Sequence, residues 1–241
     1  MKLVILAGGK GTRLSEFTKV IPKPLSLVGD FPLIFHLMYY YSLFGIRDFI
    51  ICSGYKSKLI ENFFKEKISL KFRKILEKWN IKIVNTGIHT NTGGRVKRVE
   101  NLLKNENNFL LTYGDALSDI NIKKLINFHY KSINPVTISV VLNKERFGKV
   151  LIKKNNLVKF EEKRAKTLIN GGFMVLSNKI FKILKSDKDI LEEKVLEFYS
   201  KKKMLNGYLH RGFWQCVDNY RDWEFINQIY KEKKITNVFI K

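Results

Sequence analysis

The 241 residues, 45% of them hydrophobic, are enough to bury a full core and fit one large domain spanning 1–241. No apolar run approaches the ~20 residues that cross a bilayer, and the start lacks a signal peptide's basic stretch and small-residue cleavage site, so a cytoplasmic protein is expected. The net charge of +23 invites nucleic acid, but the lysines are spread along the chain without a nucleic-acid motif, which favours a solvated, anion-friendly surface over a dedicated nucleic-acid face.

Residues 1–7 are predicted to be a short buried strand that runs into LAGGKGTRL, residues 6–14. Gly8, Gly9 and Gly11 permit left-handed turns and a close backbone approach, which suits amides facing phosphate oxygens, and Arg13 adds a fork of donors. A tight strand-to-helix turn would use the same glycines. The second basic element, IPKPL at 21–25, favours the phosphate reading, because two prolines are expected to hold Lys23 extended and presented rather than packed. The loop lacks the Gly-Lys-Ser/Thr of a Walker loop and the GxGxxG of a dinucleotide site.

Residues 31–44 have the length of a buried helix, with Pro32 near its first turn and Gly45 ending it; His36 inside it has no neighbouring ligand and reads as packed or surface-exposed. A strand at 48–53, a helix at 56–65 and a strand at 81–86 give the alternation of parallel strands with crossover helices, and 69–80 is a basic helix or irregular lobe. In GIHTNTGGRVKR, residues 87–98, the polar run before Gly93 and Gly94 is either a capped helix start or a loop reading a nucleobase edge. Residues 108–116 form a buried strand ending at Gly114-Asp115, where ligands of open α/β sheets sit. Asp115 there suits Mg²⁺, in preference to a helix cap, for which Asp119 and Asn121 are better placed.

The second half becomes richer in strands: 136–142, a hairpin of 150–152 with 158–160 about Asn155-Asn156, and 169–177 with Gly171 and Gly172. Helices are predicted at 179–185, 189–203 and 220–233, with 209–217 leading into Asp218. Cys52 and Cys216 show no metal-ligand spacing and read as reduced, buried thiols. There are no repeats, linkers or low-complexity tails.

AGGKGTRL followed by PKPL resembles the signature of the sugar-phosphate nucleotidyltransferases. With GYK, TNTGGRVKR, TYGDALSDI, RFG, EEK, INGGF and GFWQCVDNYRD, the resemblance covers nearly the whole chain and is nearest to the glucose-1-phosphate cytidylyltransferases. It implies a Rossmann-like α/β fold, mostly a parallel twisted sheet flanked by helices, with a smaller β-rich sugar-binding region. Residues 1–134 would then mainly bind nucleotide, and 135–241 mainly the acceptor while adding a second metal ligand. The implied reaction takes CTP and glucose 1-phosphate, with Mg²⁺, to CDP-glucose and pyrophosphate for surface-polysaccharide biosynthesis, in a homo-oligomer. The alternatives are the same chemistry on another phosphorylated acceptor or with another NTP, and a non-catalytic regulator on the same fold that binds nucleotide or nucleic acid.

Carried over residue by residue, the resemblance assigns the nucleotide to Leu6, Gly8, Gly9, Gly11, Thr12, Arg13 and Gly93, with Arg13 and Lys23 catalytic. Magnesium falls to Asp115 and Asp218, and the acceptor to Glu162, Lys163, Asn170 and Gly171. The chain departs from the family pattern at Ile21, Ile88-His89, Arg164 and Leu168, and its segment before Ile81 is shorter.

Overall fold

The computed structural model describes residues 1–12, 19–66, 76–144, 149–152, 158–161, 166–235 and 238–239. In chain order its strands are β1 (Leu3–Leu6), β2 (Leu27–Val28), β3 (Phe31–Pro32), β4 (Asp48–Ser53), β5 (Asn80–Asn85), β6 (Asn108–Tyr113), β7 (Ala116–Ser118), β8 (Val136–Lys144), β9 (Lys149–Ile152), β10 (Val158–Glu161), β11 (Lys166–Ser177), β12 (Leu205–His210) and β13 (Trp214–Cys216). The helices are α1 (Leu33–Ser42), α2 (Ser57–Glu66), α3 (Thr92–Arg98), α4 (Ile122–Tyr130), α5 (Phe198–Lys201) and α6 (Tyr220–Lys231).

Seven strands make one sheet in the order β12-β8-β11-β6-β1-β4-β5. The expected parallel set is present, with β1 between β4 and β6 and β5 beside β4, all parallel. β11 runs antiparallel to both β6 and β8, and β12 lies parallel to β8, so strands from the second half extend the same sheet. β1 is central and buried on both faces, which its unbroken LVIL requires. Leu3 and Ile5 face one apolar layer with α1 and α6, while Val4 and Leu6 face the other with Val96 and Val99 of and beside α3. The two-residue period of a strand thus divides one short sequence between two cores.

α1 begins after Pro32, whose φ of −61° suits the residue before a helix, and the chain leaves it through Gly45 at φ +82°, as its sequence implies. His36 is fully buried, bonded to the Val28 carbonyl at 2.8 Å and surrounded by Phe31, Tyr230 and Phe239. The hairpin expected about 155–156 pairs β9 with β10, its turn lying outside the described residues. The stretch 209–217 divides into β12 and β13, with Gly212 between them lying against the side chains of Asp119 and His210. The basic lobe expected at 69–80 falls largely outside the described residues. Among them, no helix is long and apolar enough to cross a membrane.

Both loops that matter leave the carboxyl ends of adjacent strands. β1 runs into Gly8 and β6 into Gly114-Asp115, and the Gly114 amide donates to the Leu6 carbonyl at 3.0 Å. β13 pairs antiparallel with β7, Cys216 opposite Ala116, which carries the chain's late segment to the same place.

Candidate active site

A cavity of about 380 Å³ opens at these strand ends. Leu6, Gly8, Gly9, Gly11 and Thr12 line one side, Lys23, Asp115 and Asp218 another, and Thr90, Asn91 and Thr92 a third. Arg13 lies outside the described residues. Gly11 has φ +62°, the left-handed conformation that glycine adopts without penalty. Gly8 is required for a different reason: a Cβ there would stand 2.0 Å from Nη1 of Arg95.

Lys23 is the electrostatic centre. Its ammonium donates to Asp115 Oδ2 at 2.8 Å and to Asp218 Oδ1 at 2.9 Å. Burial alone would lower its pKa, but the Asp115 carboxylate and the two hydrogen bonds outweigh that and hold it above the ordinary lysine value. Two expectations change here. Lys23–Leu25 forms one 3₁₀ turn rather than an extended segment, since Pro24 sits in the turn's first positions, where no amide is needed. Lys23 is also buried, 8% exposed, and ion-paired rather than presented.

The donor set fits a hard divalent cation. The ligand atoms of Asp115, Asp218 and Cys216 lie within 4.8 Å of one another, and the two carboxylates supply the oxygens that Mg²⁺ takes. Burial, with Asp115 beside it, pushes the Cys216 thiol up, so the sulfur stays protonated and the oxygens carry the charge. Cys216 is half-buried and Cys52 buried, both as free thiols.

The loop before α3 is built differently from a simple base-reading edge. Asn91 donates its amide to Asp187 O at 2.8 Å and its side chain to Lys188 O at 2.9 Å, and Gly94 donates to Asp189 O at 3.1 Å. Gly93 and Gly94 let this segment approach, for their Cβ atoms would lie 2.8 Å from Asp189 O and 2.6 Å from Asp187 Cα. Gly93 therefore packs against 187–189, and the residues that line the cavity are Thr90, Asn91 and Thr92.

Arg95 is a residue that local sequence reasoning misses. Nothing in TGGRVKR sets it apart from its basic neighbours, yet it is 5% exposed. Its guanidinium donates to Gly8 O at 3.0 Å, Ser53 O at 3.2 Å, Thr86 Oγ1 at 2.7 Å and Gly87 O at 2.8 Å. It ties the glycine loop to the ends of β4 and β5 and lines the cavity. Only the packing of α3 under β1 reveals this.

Of the residues that the resemblance assigns to the acceptor, Glu162 and Lys163 lie outside the described residues. Asn170 and Gly171 sit in the irregular stretch of β11 where its register with β8 shifts. Asn170 Oδ1 accepts from the Gly172 amide at 2.9 Å, and Gly171 O accepts from Trp214 Nε1 at 2.7 Å. Gly172, at φ +80°, packs on the ring of Tyr113, which lines the cavity. Leu168 is 59% exposed.

The chain is similar to known proteins over most of its length. The chain is 38% identical to glucose-1-phosphate cytidylyltransferase of Salmonella typhimurium strain LT2, over 97% of each chain. It is 32% identical to D-glycero-alpha-D-manno-heptose 1-phosphate guanylyltransferase of Campylobacter jejuni, over 84% of this chain and 88% of that one. The solved structure of HddC from Yersinia pseudotuberculosis complexed with GMP-PN has the same fold, with a TM-score of 0.73 at 24% identity, covering 95% of this chain and 99% of that one. The family model described as Nucleotidyl transferase matches residues 2–232, and the chain belongs to that family of nucleotidyltransferases.

Proposed function

We propose that this protein transfers a cytidylyl group from CTP to a sugar 1-phosphate, glucose 1-phosphate in the simplest case, giving a CDP-sugar for surface-polysaccharide biosynthesis and pyrophosphate. The observation that carries the reading is the near full-length match to a glucose-1-phosphate cytidylyltransferase in a chain whose Lys23, Asp115 and Asp218 converge in one cavity.

In this reaction an oxygen of the acceptor's phosphate forms a bond to the α-phosphorus. The bond from that phosphorus to the bridging oxygen breaks, and pyrophosphate leaves with the electron pair. The acceptor phosphate is already an anionic nucleophile, so a general base has no task. The obstacle is the repulsion of two anions. Lys23 offsets it with a buried ammonium at the cavity wall, and the glycine loop presents backbone rather than side chains to the triphosphate. Asp115 and Asp218 would hold Mg²⁺, which neutralises phosphate charge and orients the oxygens when bound. Arg13, Glu162, Lys163, Asn170 and Gly171 complete the proposal as phosphate and acceptor contacts.

The test is pyrophosphate release with Mg²⁺, crossing CTP, UTP, dTTP, ATP and GTP against a panel of sugar 1-phosphates. A maximum for CTP with glucose 1-phosphate is expected. A maximum for GTP with a heptose 1-phosphate would select the second reading, which the Campylobacter jejuni relative motivates. No release with any pair overturns both.

A further inference from the structure

Beyond the residues already placed, one carboxylate ties two walls of the cavity together. Glu192 opens the π-helical turn Glu192–Glu197, a backbone form that concentrates at functional sites. Its Oε2 accepts from Thr92 Oγ1 at 2.8 Å, and its Oε1 accepts from the Tyr113 hydroxyl. Thr92 Oγ1 in turn accepts from the Leu191 amide at 2.9 Å, so the threonine hydroxyl is held as donor and acceptor by consecutive residues.

The two partners belong to different parts of the site. Thr92 begins α3 in the loop clamped by 187–189, whereas Tyr113 ends β6, two residues before Asp115. Both line the cavity. The Tyr113 ring continues the chain of contacts, because a Cβ on Gly172 would lie 2.6 Å from its Cδ2, and Gly172 follows Asn170 and Gly171 in β11. The Tyr113 hydroxyl donates to the same Glu192 carboxylate that holds Thr92, so the ring is tied to the Thr92 wall. Hydrogen bonds to a charged acceptor are stronger than neutral ones, so this linkage is stiff.

We propose that Glu192 is a positioning residue, whose carboxylate sets the separation of the Thr92 wall and the Tyr113 wall and so holds nucleotide and acceptor at transfer geometry. The inference rests on the transfer reading above. It assigns a task to a residue whose hydrogen bonds, among the described residues, go to Thr92 and Tyr113 and not to the glycine loop or the carboxylate pair. A role confined to stability would show only in the melting temperature, whereas positioning predicts a different kinetic signature from each partner.

The experiment compares Glu192→Ala, Glu192→Gln, Tyr113→Phe and Thr92→Val in the full chain. Nucleotide affinity is read by titration calorimetry with Mg²⁺, using whichever of CTP, UTP, dTTP, ATP or GTP the unmodified protein binds, and kcat and acceptor KM are read from pyrophosphate release. Thr92→Val is expected to weaken nucleotide binding more than kcat, and Tyr113→Phe to lower kcat or raise acceptor KM more than it weakens nucleotide binding. Glu192→Ala should do both by about tenfold, well inside what a small misplacement costs a positioned reaction. Glu192→Gln, which still accepts one of the two bonds, should recover part of each loss. The double variant Glu192→Ala/Thr92→Val should bind nucleotide no worse than Glu192→Ala alone.

Affinity, kcat and acceptor KM all within about twofold of the unmodified protein in Glu192→Ala would overturn the proposal, as would additive losses in the double variant. Nucleotide binding without pyrophosphate release in the unmodified protein counts against the transfer reading, while the calorimetric arms still decide Glu192. An unmodified protein that binds none of the five nucleotides overturns both.

Discussion

The Val217 amide donates to the Asp115 carbonyl at 2.8 Å, and this backbone bond brings Asp218 to the carboxylate that the end of β6 presents. With Cys216 opposite Ala116 in the β7–β13 pair, the two aspartates reach one ammonium from either side. The site depends on a short strand pairing as much as on its side chains.

The carboxylate pair gives the most direct prediction. Asp115→Asn and Asp218→Asn should each lower pyrophosphate release by about 10²-fold or more, as losing a preorganised electrostatic partner does. Chelation of divalent metal should abolish release and added Mg²⁺ restore it. Lys23→Arg should fail to rescue Lys23→Ala, because a planar fork cannot replace a point charge donating to two oxygens at 2.8 and 2.9 Å. Circular dichroism unchanged in these variants would attribute the loss to the site.

Arg95 should behave as a structural tie as well as a wall of the cavity. Removing its guanidinium breaks four hydrogen bonds from a charged donor, each worth about 1.5–3 kcal/mol, although Gly8 O keeps the Tyr55 amide and Ser53 O keeps the amide and hydroxyl of Thr86. Arg95→Met should therefore lower the urea midpoint strongly, and Arg95→Lys should recover little, since one ammonium cannot span all four acceptors. A midpoint equal to that of the unmodified protein would refute this account.

The glycines divide by what surrounds them. Gly94→Ala places a methyl 2.6 Å from Asp187 backbone atoms and should destabilise by about 1–3 kcal/mol, the usual cost of overpacking, while weakening nucleotide binding through the displaced loop. At Gly9 no atom of the described residues lies within 4 Å of an added Cβ. Gly9→Ala should leave stability within about 0.5 kcal/mol and act on nucleotide affinity alone. Denaturation and calorimetry on the two variants separate the roles.

His36 predicts a pH dependence of stability. Burial lowers its pKa from 6.5 to about 4, despite the hydrogen bond to Val28 O. The folded state thus holds it neutral where the unfolded chain protonates it. Its contribution is fully present above pH 6.5 and is lost as pH falls from there to about 4, at up to about 1.4 kcal/mol per pH unit. Urea midpoints for the unmodified protein and His36→Gln should diverge least at pH 4.5 and most at pH 7.5. Parallel profiles would show that another group governs acid sensitivity.

By itself, the sequence determined the parts whose causes are local. An unbroken apolar strand before three glycines, and Gly114-Asp115 after NFLLTY, mark the two strand ends on which the cavity opens, because side-chain period and backbone freedom act over a few residues. The prolines around Lys23, by contrast, point to an extended segment where a 3₁₀ turn forms. Asp218 has no such local mark, and only its place in the resembling GFWQCVDNYRD stretch singles it out. Tertiary structure alone decided that Lys23 is buried between the two aspartates, that Arg95 turns inward, that Gly93 packs on 187–189 and that Glu192 reaches Thr92 and Tyr113. Each of these depends on residues far apart in the chain, up to 195 positions for Lys23 and Asp218, meeting at the ends of the sheet. Such pairings are set by the burial of whole strands and helices, which no short window of sequence encodes.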